Sequence, residues 1–249
     1  MNSFITWIGG KRLLRKKILA EFPAEGTHKR YIEVFGGAGW VLFAKDRHAE
    51  MEVYNDVNGQ LVNLFRCVKY HPEELQKELD WALMSRDIFE SAIQKVEGLT
   101  DIQRAARFWI SIKESFGGGL DSFLLKPLKM QKAVDFLREA SQRLDYVVIE
   151  NIDFERLIKI YDRPDALFYL DPPYYDAEKY YPDRFNPDDH TRLRDALNRI
   201  KGKFILSYND CPEIRELYQD YNIIGIERFD NLTAKNGGQQ YKEVIIKNY

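Results

Sequence analysis

Two consecutive segments of the chain share one order of elements: a short apolar run, a turn and an amphipathic run. In "KRYIEVFGGAGWVLFAK", residues 31–35 predict a strand, the glycines of 36–39 a turn, and residues 41–45 the start of a helix. In "MEVYNDVNGQLVNLFRCVK", residues 51–54 predict the next strand, and a helix follows from about Val57. Two such units in succession require a crossover connection, so they predict a parallel sheet.

The remainder of the chain divides into a helical stretch and a second group of strands. Residues 72–143 have helical periodicity, whereas "YVVIENIDF", "DALFYLDPPYY", "GKFILSYND" and "YNIIGIERF" return to strand patterns. We therefore predict an α/β sheet domain, residues 1–67 and 145–249, that carries a helical insertion, residues 68–144. The Asn236-Gly237 dipeptide between the last two strand-like runs predicts a hairpin.

The charge balance excludes a basic surface over the whole molecule. The chain has 37 Lys and Arg against 39 Asp and Glu, a formal net charge of -2. A nucleic-acid surface must therefore be a local patch, and Lys126, Lys129 and Lys132 form one candidate. Cys67 and Cys211 are too few for a disulfide framework and lack metal-ligand spacing, so no metal site is predicted. Without a signal peptide or a long apolar run, we expect a soluble, cytoplasmic protein.

Polar tips follow three of the predicted strands, at residues 36–39, at Asp56 and at 151–154. Ligands of open parallel sheets bind beyond the carboxyl ends of the strands, where these tips would meet. An acid in the place of Asp56 is suited to ribose, because a carboxylate can accept hydrogen bonds from both hydroxyls. Leu42 stands where a dinucleotide-binding glycine motif would have its third glycine, which favours an adenosine ligand without a pyrophosphate.

The segment "LFYLDPPYYD" ends a buried strand in an acid, two prolines and two tyrosines. Proline has a fixed φ and no N–H, so Asp171 and the Pro172 carbonyl can be two acceptors on one stiff corner, with the Tyr174 ring beside them. A planar NH2 group could stack on that ring and donate one hydrogen to each acceptor. The lone pair of such an amine is delocalised, and gripping both hydrogens favours the tetrahedral nitrogen that attacks an electrophile.

Five motifs in this order resemble a known family. They are "WIGGK" (7–11), "EVFGGAG" (33–39), "YND" (54–56), "NIDF" (151–154) and "LDPPY" (170–174). The chain is similar to the Dam-like, D12-class adenine-N6 DNA methyltransferases, which use S-adenosylmethionine. The position of the insertion resembles the α group of that family, in which it is the target-recognition domain. Trp40 departs from the family pattern, since a small residue is more usual there.

The resemblance implies a role for each matching position. One set would border the cofactor: Trp7, Gly9, Gly10 and Lys11 at its methionine end, Glu33, Phe35, Gly36, Gly37, Ala38 and Gly39 as the pocket wall, Asp56 at the ribose, and Asp153 with Phe154 at the adenine. The other set would hold the target base: Asp171, Pro172, Pro173 and Tyr174. Asp171 belongs to both sets.

The resemblance also implies a Rossmann-like, mostly parallel sheet with a C-terminal antiparallel hairpin strand, and methylation of adenine N6 in double-stranded DNA through a flipped base. Cytosine-N4 methylation is the nearest alternative, because both bases offer an NH2 group to the same acceptors. An RNA target is a third reading, and a non-catalytic DNA-binding relative is a reading from another class. Asp171 disfavours glutamine methylation, for which the family usually has Asn. The expected partners are DNA and a cognate restriction endonuclease, and the expected state is a monomer or a weak dimer.

Overall fold

The structure, a computed structural model, describes residues 1–80, 85–94, 96–115, 123, 130–178, 185–229 and 240–249. Seven strands form one sheet in the order β3-β2-β1-β4-β5-β7-β6. Their bounds are β1 Arg30–Glu33, β2 Met51–Asn55, β3 Val147–Glu150, β4 Ala166–Leu170, β5 Lys203–Asn209, β6 Asn222–Phe229 and β7 Gln240–Lys247. The helices are α1 Arg15–Ala20, α2 Gly59–Tyr70, α3 Pro72–Asp80, α4 Arg86–Ile93, α5 Asp101–Glu114, α6 Met130–Leu144, α7 Phe154–Tyr161, α8 Pro187–Leu197 and α9 Pro212–Leu217.

The structure confirms the predicted parallel strands and the predicted antiparallel strand near the C-terminus. β1, β2, β3, β4 and β5 pair in parallel, and β7 is antiparallel to both of its neighbours, β5 and β6. β1 lies between β2 and β4, so the chain leaves β1 in one direction and later returns on its other side. In open α/β sheets the loops at such a switch point diverge and leave a crevice at the carboxyl edge.

Both faces of the sheet are covered, which explains the continuous apolar runs of the central strands. Every residue of β4 is buried, and alternate side chains enter different cores. Leu167 and Tyr169 pack with residues of α2 and of α3, α5 and α6. Phe168 and Leu170 pack on the other face with α7, α8 and α9.

The helices between β2 and β3 share a core with the sheet. Leu75, Trp109 and Leu137 belong to the same buried cluster as Tyr54 of β2 and Phe65 of α2. Helix α2 runs across the predicted domain boundary, and α5 and α6 pack directly on it. The division at residues 67 and 145 stays a prediction. Of the basic patch within this stretch, Lys132 is exposed on α6, and Lys126 and Lys129 lie outside the described residues.

One sequence-based prediction is wrong, because the glycine turn leads into a single 3-10 turn, Leu42–Ala44, and not into an α-helix. The carbonyl groups that a longer helix would use are bonded to side chains. His48 Nε2 donates to the carbonyls of Val41 (2.9 Å) and Leu42 (3.2 Å). Arg143 donates to the carbonyls of Leu42 (2.9 Å) and Lys45 (2.8 Å).

The same arginine joins α6 to the sheet through a buried ion pair. Its guanidinium donates to both carboxylate oxygens of Glu52 at 2.8 and 2.9 Å, and the two side chains are 6% and 1% exposed. Removing one partner of such a pair leaves the other charge buried and uncompensated, at a cost of about 3–5 kcal/mol.

We therefore expect Arg143→Met to lower the free energy of unfolding by about 3–5 kcal/mol in urea titrations. Arg138→Met is the matched control, because Arg138 is an exposed arginine of the same helix with one hydrogen bond to Gln76 (3.0 Å). Its replacement should cost only about 1 kcal/mol. Equal destabilisation of the two variants would contradict the structural role of the Arg143–Glu52 pair.

Candidate active site

A cavity that opens to solvent lies at the carboxyl edge beside the switch point, and the space within its lining, open solvent included, is about 830 Å³. Most of the residues assigned to the cofactor by resemblance line it: Trp7, Gly9, Gly10, Lys11, Glu33, Phe35, Gly36, Gly37, Ala38, Asp56 and Asp171. Pro173 and Trp40 line it as well.

The glycine turn lies directly against an aromatic ring of β2. A Cβ atom at Gly36 would lie 2.2 Å from the Tyr54 ring, so only glycine fits there. Gly37 has φ of 50°, in the left-handed region that glycine adopts without strain, and its carbonyl accepts a hydrogen bond from the Tyr54 hydroxyl at 2.7 Å. The wall of the cavity at this point is therefore backbone, which lets a ligand approach closely.

Asn55 and Asp56 join the three loops that follow β1, β2 and β3. The Asn55 amide donates to the carbonyls of Val34 (2.9 Å) and Ile152 (3.1 Å) and accepts from the Ile152 N–H (3.0 Å). Asp56 accepts from the Gly37 N–H at 2.8 Å and thereby holds the glycine turn. The prediction that these polar residues lie together is confirmed, and Asn55 bonds to the loops that follow β1 and β3.

Asp171 lies at the end of β4 with two polar partners on one carboxylate oxygen. The Lys11 ammonium is 2.7 Å from Oδ1, and the Ser207 hydroxyl donates to the same oxygen at 2.8 Å. Burial raises the pKa of Asp171 above its ordinary value, while Lys11 and Ser207 act in the opposite direction by stabilising the carboxylate. The carboxylate is thus held in one place and largely removed from water.

Lys11 also joins this acid to the neighbouring aromatic residue. Its ammonium donates to the Gly9 carbonyl at 3.0 Å and lies 4.6 Å from the centre of the Tyr174 ring. The Tyr174 hydroxyl donates to Glu243 of β7. The buried Pro172 and Pro173 separate Asp171 from Tyr174, so the acid and the ring lie at one rigid corner.

Asp153 and Phe154 line a smaller pocket that shares Phe35 with the main cavity. The rings of Phe35, Phe154 and Phe185 form a cluster with centres 5.6 to 6.0 Å apart. The Asp153 carboxylate caps α7 by accepting from the Glu155 N–H (3.0 Å), and it pairs with Arg192 at 2.8 Å. A contact of Asp153 with adenine stays a prediction.

Trp40, which stands where the family more usually has a small residue, lines the cavity close to the "WIGGK" segment. A Cβ atom at Gly10 would lie 2.9 Å from the indole nitrogen, so the indole requires glycine at that position. The guanidinium groups of Arg12 and Arg15 lie 5.9 and 5.5 Å from the ring centre. The indole thus fills the space that a small residue would leave open, and two cations cover it.

Several residues at the carboxyl edge of the sheet were not predicted as site residues from the sequence. They are Ser207, Asn209, Phe185, Arg192 and Glu243. "GKFILSYND" ends in polar residues like the other strand tips, and that pattern indicates Ser207 and Asn209. Glu243 stands inside the apolar run of "YKEVIIKNY", where a buried acid is costly without a partner.

The comparisons with known proteins identify the class to which this site belongs. The family model described as D12 class N6 adenine-specific DNA methyltransferase matches residues 7–232. The chain therefore belongs to this family, and the resemblance found in its motifs is confirmed. No helix among the described residues is long and apolar enough to cross a membrane.

Curated relatives are matched over the whole chain. The chain is 29% identical to the type II methyltransferase M1.LlaDCHI of Lactococcus lactis subsp. cremoris, with 100% of this chain and 96% of that protein covered. It is 27% identical to the type II methyltransferase M.MjaIII of Methanocaldococcus jannaschii, with 100% and 99% covered. The type II methyltransferase M.CviBI of Paramecium bursaria Chlorella virus NC1A is 24% identical, with both chains covered fully.

Solved structures are more distant. The rRNA methyltransferase aviRa from Streptomyces viridochromogenes has a TM-score of 0.41 at 12% identity, with 93% of this chain and 81% of that chain covered. A precorrin 8w decarboxylase of Methanobacterium thermoautotrophicum has a TM-score of 0.44 at 12% identity, with 95% and 89% covered. Sheet order and the family match, and not these superpositions, define the fold.

Glu33 is a buried acid of the cavity wall, and we expect it to make the free energy of unfolding depend on pH. It is 1% exposed and accepts from the Tyr31 hydroxyl at 2.7 Å. Burial, reinforced by Asp171, raises the pKa of Glu33 from 4.5 to about 8, although the bond from Tyr31 lowers it. Between these values the unfolded chain has released the proton that the folded chain keeps, so stability falls as pH rises.

We expect Glu33→Gln to remove up to about 1.4 kcal/mol per pH unit from this slope, measured as the free energy of unfolding in urea between pH 5 and 8. The exposed Glu50 supplies the control Glu50→Gln. If wild type and Glu33→Gln had the same pH slope, the buried proton would not be on Glu33.

Proposed function

We propose that the methyl donor is S-adenosylmethionine and that it binds in the cavity at the switch point. This donor supplies an electrophilic methyl group on a sulfonium. The side chains of the cavity suit its parts, since Asp56 can accept from ribose hydroxyls and the buried Glu33 and Lys11 can meet an amino group and a carboxylate. The flat backbone wall at Gly36 and Gly37 leaves room for an adenosine, and the aromatic cluster at Phe35 offers its adenine an apolar surface.

The target in this proposal is the N6 amine of an adenine that has left the DNA stack. A base inside a duplex cannot reach the Asp171 corner, so the nucleotide must be flipped out, and the Tyr174 ring replaces part of the stacking that the base gives up. Asp171 and the Pro172 carbonyl then accept the two amine hydrogens. As the nitrogen attacks the methyl carbon, the carbon–sulfur bond breaks and positive charge develops on nitrogen, which Asp171 stabilises until the proton leaves.

The observation that carries this proposal is the Asp171 carboxylate, 16% exposed and held by Lys11 and Ser207 beside the Tyr174 ring and the cavity. The proposal is tested by incubating the protein with DNA and S-adenosylmethionine labelled in the methyl group. Digestion of the DNA should release labelled N6-methyladenine. Label in N4-methylcytosine would favour the alternative base, and binding of DNA without transfer would favour a non-catalytic relative.

We further propose double-stranded DNA as the physiological partner and the cytoplasm as the location of the protein. A cognate restriction endonuclease is a second proposed partner, supported by the type II methyltransferase names of the relatives. A monomer or weak dimer suffices for this chemistry, because the cavity and the Asp171 corner belong to one chain.

Asp171→Ala should abolish methyl transfer, because the amine is deprived of the acceptor that stabilises its developing charge. Asp56→Ala is the complementary variant and should mainly weaken cofactor binding, since this carboxylate holds the glycine turn and faces the cavity. Single-turnover transfer and cofactor affinity by isothermal titration separate the two effects. Full methylation by Asp171→Ala would exclude the mechanism.

Replacing Lys126, Lys129 and Lys132 together by Ala should flatten the dependence of log K for DNA on log salt. The slope should change by about 0.9 for each phosphate that the protein no longer neutralises. The control is Lys159→Ala with Lys201→Ala, exposed lysines in the last turn of α7 and just before β5. An unchanged slope in the triple variant would mean that these lysines lie on an ordinary solvated surface.

A further inference from the structure

Tyr174 belongs to a segment, residues 171–177, that has neither helix nor strand. Stacking of a base uses only the face of its ring, so the hydroxyl group is not needed for that contact. Methyl transfer, in contrast, depends on orientation, because a displacement of about 1 Å at a reacting centre can cost a factor of about a hundred in rate. A ring on an irregular segment therefore needs an attachment that fixes its plane.

The hydroxyl of Tyr174 has such an attachment, since it donates to the Glu243 carboxylate. Glu243 is 3% exposed and lies in β7, which is bonded to a strand on each side. Its backbone is therefore held from both sides. A buried carboxylate that accepts a hydrogen bond is also a stronger and more directional anchor than a solvated one.

The neighbouring strand holds the next residue of the same segment. The Asn209 amide accepts from the Tyr175 N–H at 3.0 Å and donates to the Tyr175 carbonyl at 3.2 Å. Asn209 and Glu243 are direct partners in the register of β5 and β7. One cross-strand pair thus binds the backbone at Tyr175 and the ring of Tyr174, two adjacent points of the corner that follows Asp171.

We infer that Glu243 is a positioning residue for the target base: its bond to the Tyr174 hydroxyl fixes the plane of the ring on which the base stacks. This inference rests on the proposed function. Glu243 touches neither the base nor the donor and acts only through Tyr174. Asn209 supports it by fixing the backbone from which that ring projects.

The test compares Glu243→Met, Glu243→Gln and Tyr174→Phe in single-turnover methylation of DNA at saturating S-adenosylmethionine. Tyr174→Phe keeps the ring and removes the hydroxyl, and Glu243→Met keeps the volume and removes the acceptor. Each should lower the rate of transfer by about tenfold to a hundredfold, with cofactor affinity unchanged. Glu243→Gln keeps an acceptor oxygen and should restore most of the rate.

The double variant Tyr174→Phe with Glu243→Met is the decisive measurement. If both changes break one bond, the double variant should be no slower than either single variant. Rate reductions that multiply, or a wild-type rate in Glu243→Met, would overturn the inference. Glu227→Met is the control, because Glu227 is an exposed acid at the same edge in β6, and it should methylate at the wild-type rate.

The two proposals fail in different ways. Absence of N6-methyladenine with the wild-type protein would overturn the proposed function whatever the variants do. A wild-type enzyme that methylates adenine, with variants that do not follow this pattern, would overturn only the role of Glu243. Unchanged cofactor affinity and thermal unfolding in the slow variants Tyr174→Phe and Glu243→Met separate positioning from misfolding.

Discussion

The position of β1 between β2 and β4 is the constraint on which the site depends. The loop after β1 turns toward β2, and the chain returns to pair with the other side of β1 only after the helical stretch. The glycine turn and the Asp171 corner therefore come from strands that are neighbours in space and far apart in sequence. The loops that follow these strands diverge and leave the cavity between them, and the hydrogen bonds of Asn55 join the loops that follow β1 and β3.

The buried Lys11 ammonium offsets part of the negative charge at this edge. Glu33, Asp171 and Glu243 are acids of the cavity wall and the adjoining corner, and Lys11 pairs directly with Asp171. Burial raises the pKa of both Glu33 and Asp171, while the Lys11 ammonium acts against that rise at Asp171. Such perturbation is typical of sites whose electrostatics serve chemistry, because the dipoles and charges are set before the substrate arrives.

The sequence predicts the parallel sheet, its late antiparallel strand and the polar tips, because these depend on local periodicity and on short motifs. It does not predict features that depend on distant partners. The helix expected after the glycine turn is absent because Arg143, about a hundred residues away, bonds to its carbonyls. Likewise, the sequence shows Glu243 only as an acid within an apolar strand, because its partner Tyr174 is distant in the chain. The second tyrosine, Tyr175, acquires a role only through its backbone bonds to Asn209.

The shared core of the sheet and the helices of residues 68–144 has a consequence for how such enzymes can diverge. A segment whose Leu75, Trp109 and Leu137 belong to the same buried core as Tyr54 cannot be exchanged between relatives as an independent unit, because each junction would cut through close-packed side chains. Substitutions in that stretch should instead be tolerated one at a time at exposed positions, while its buried side chains change only in compensating groups.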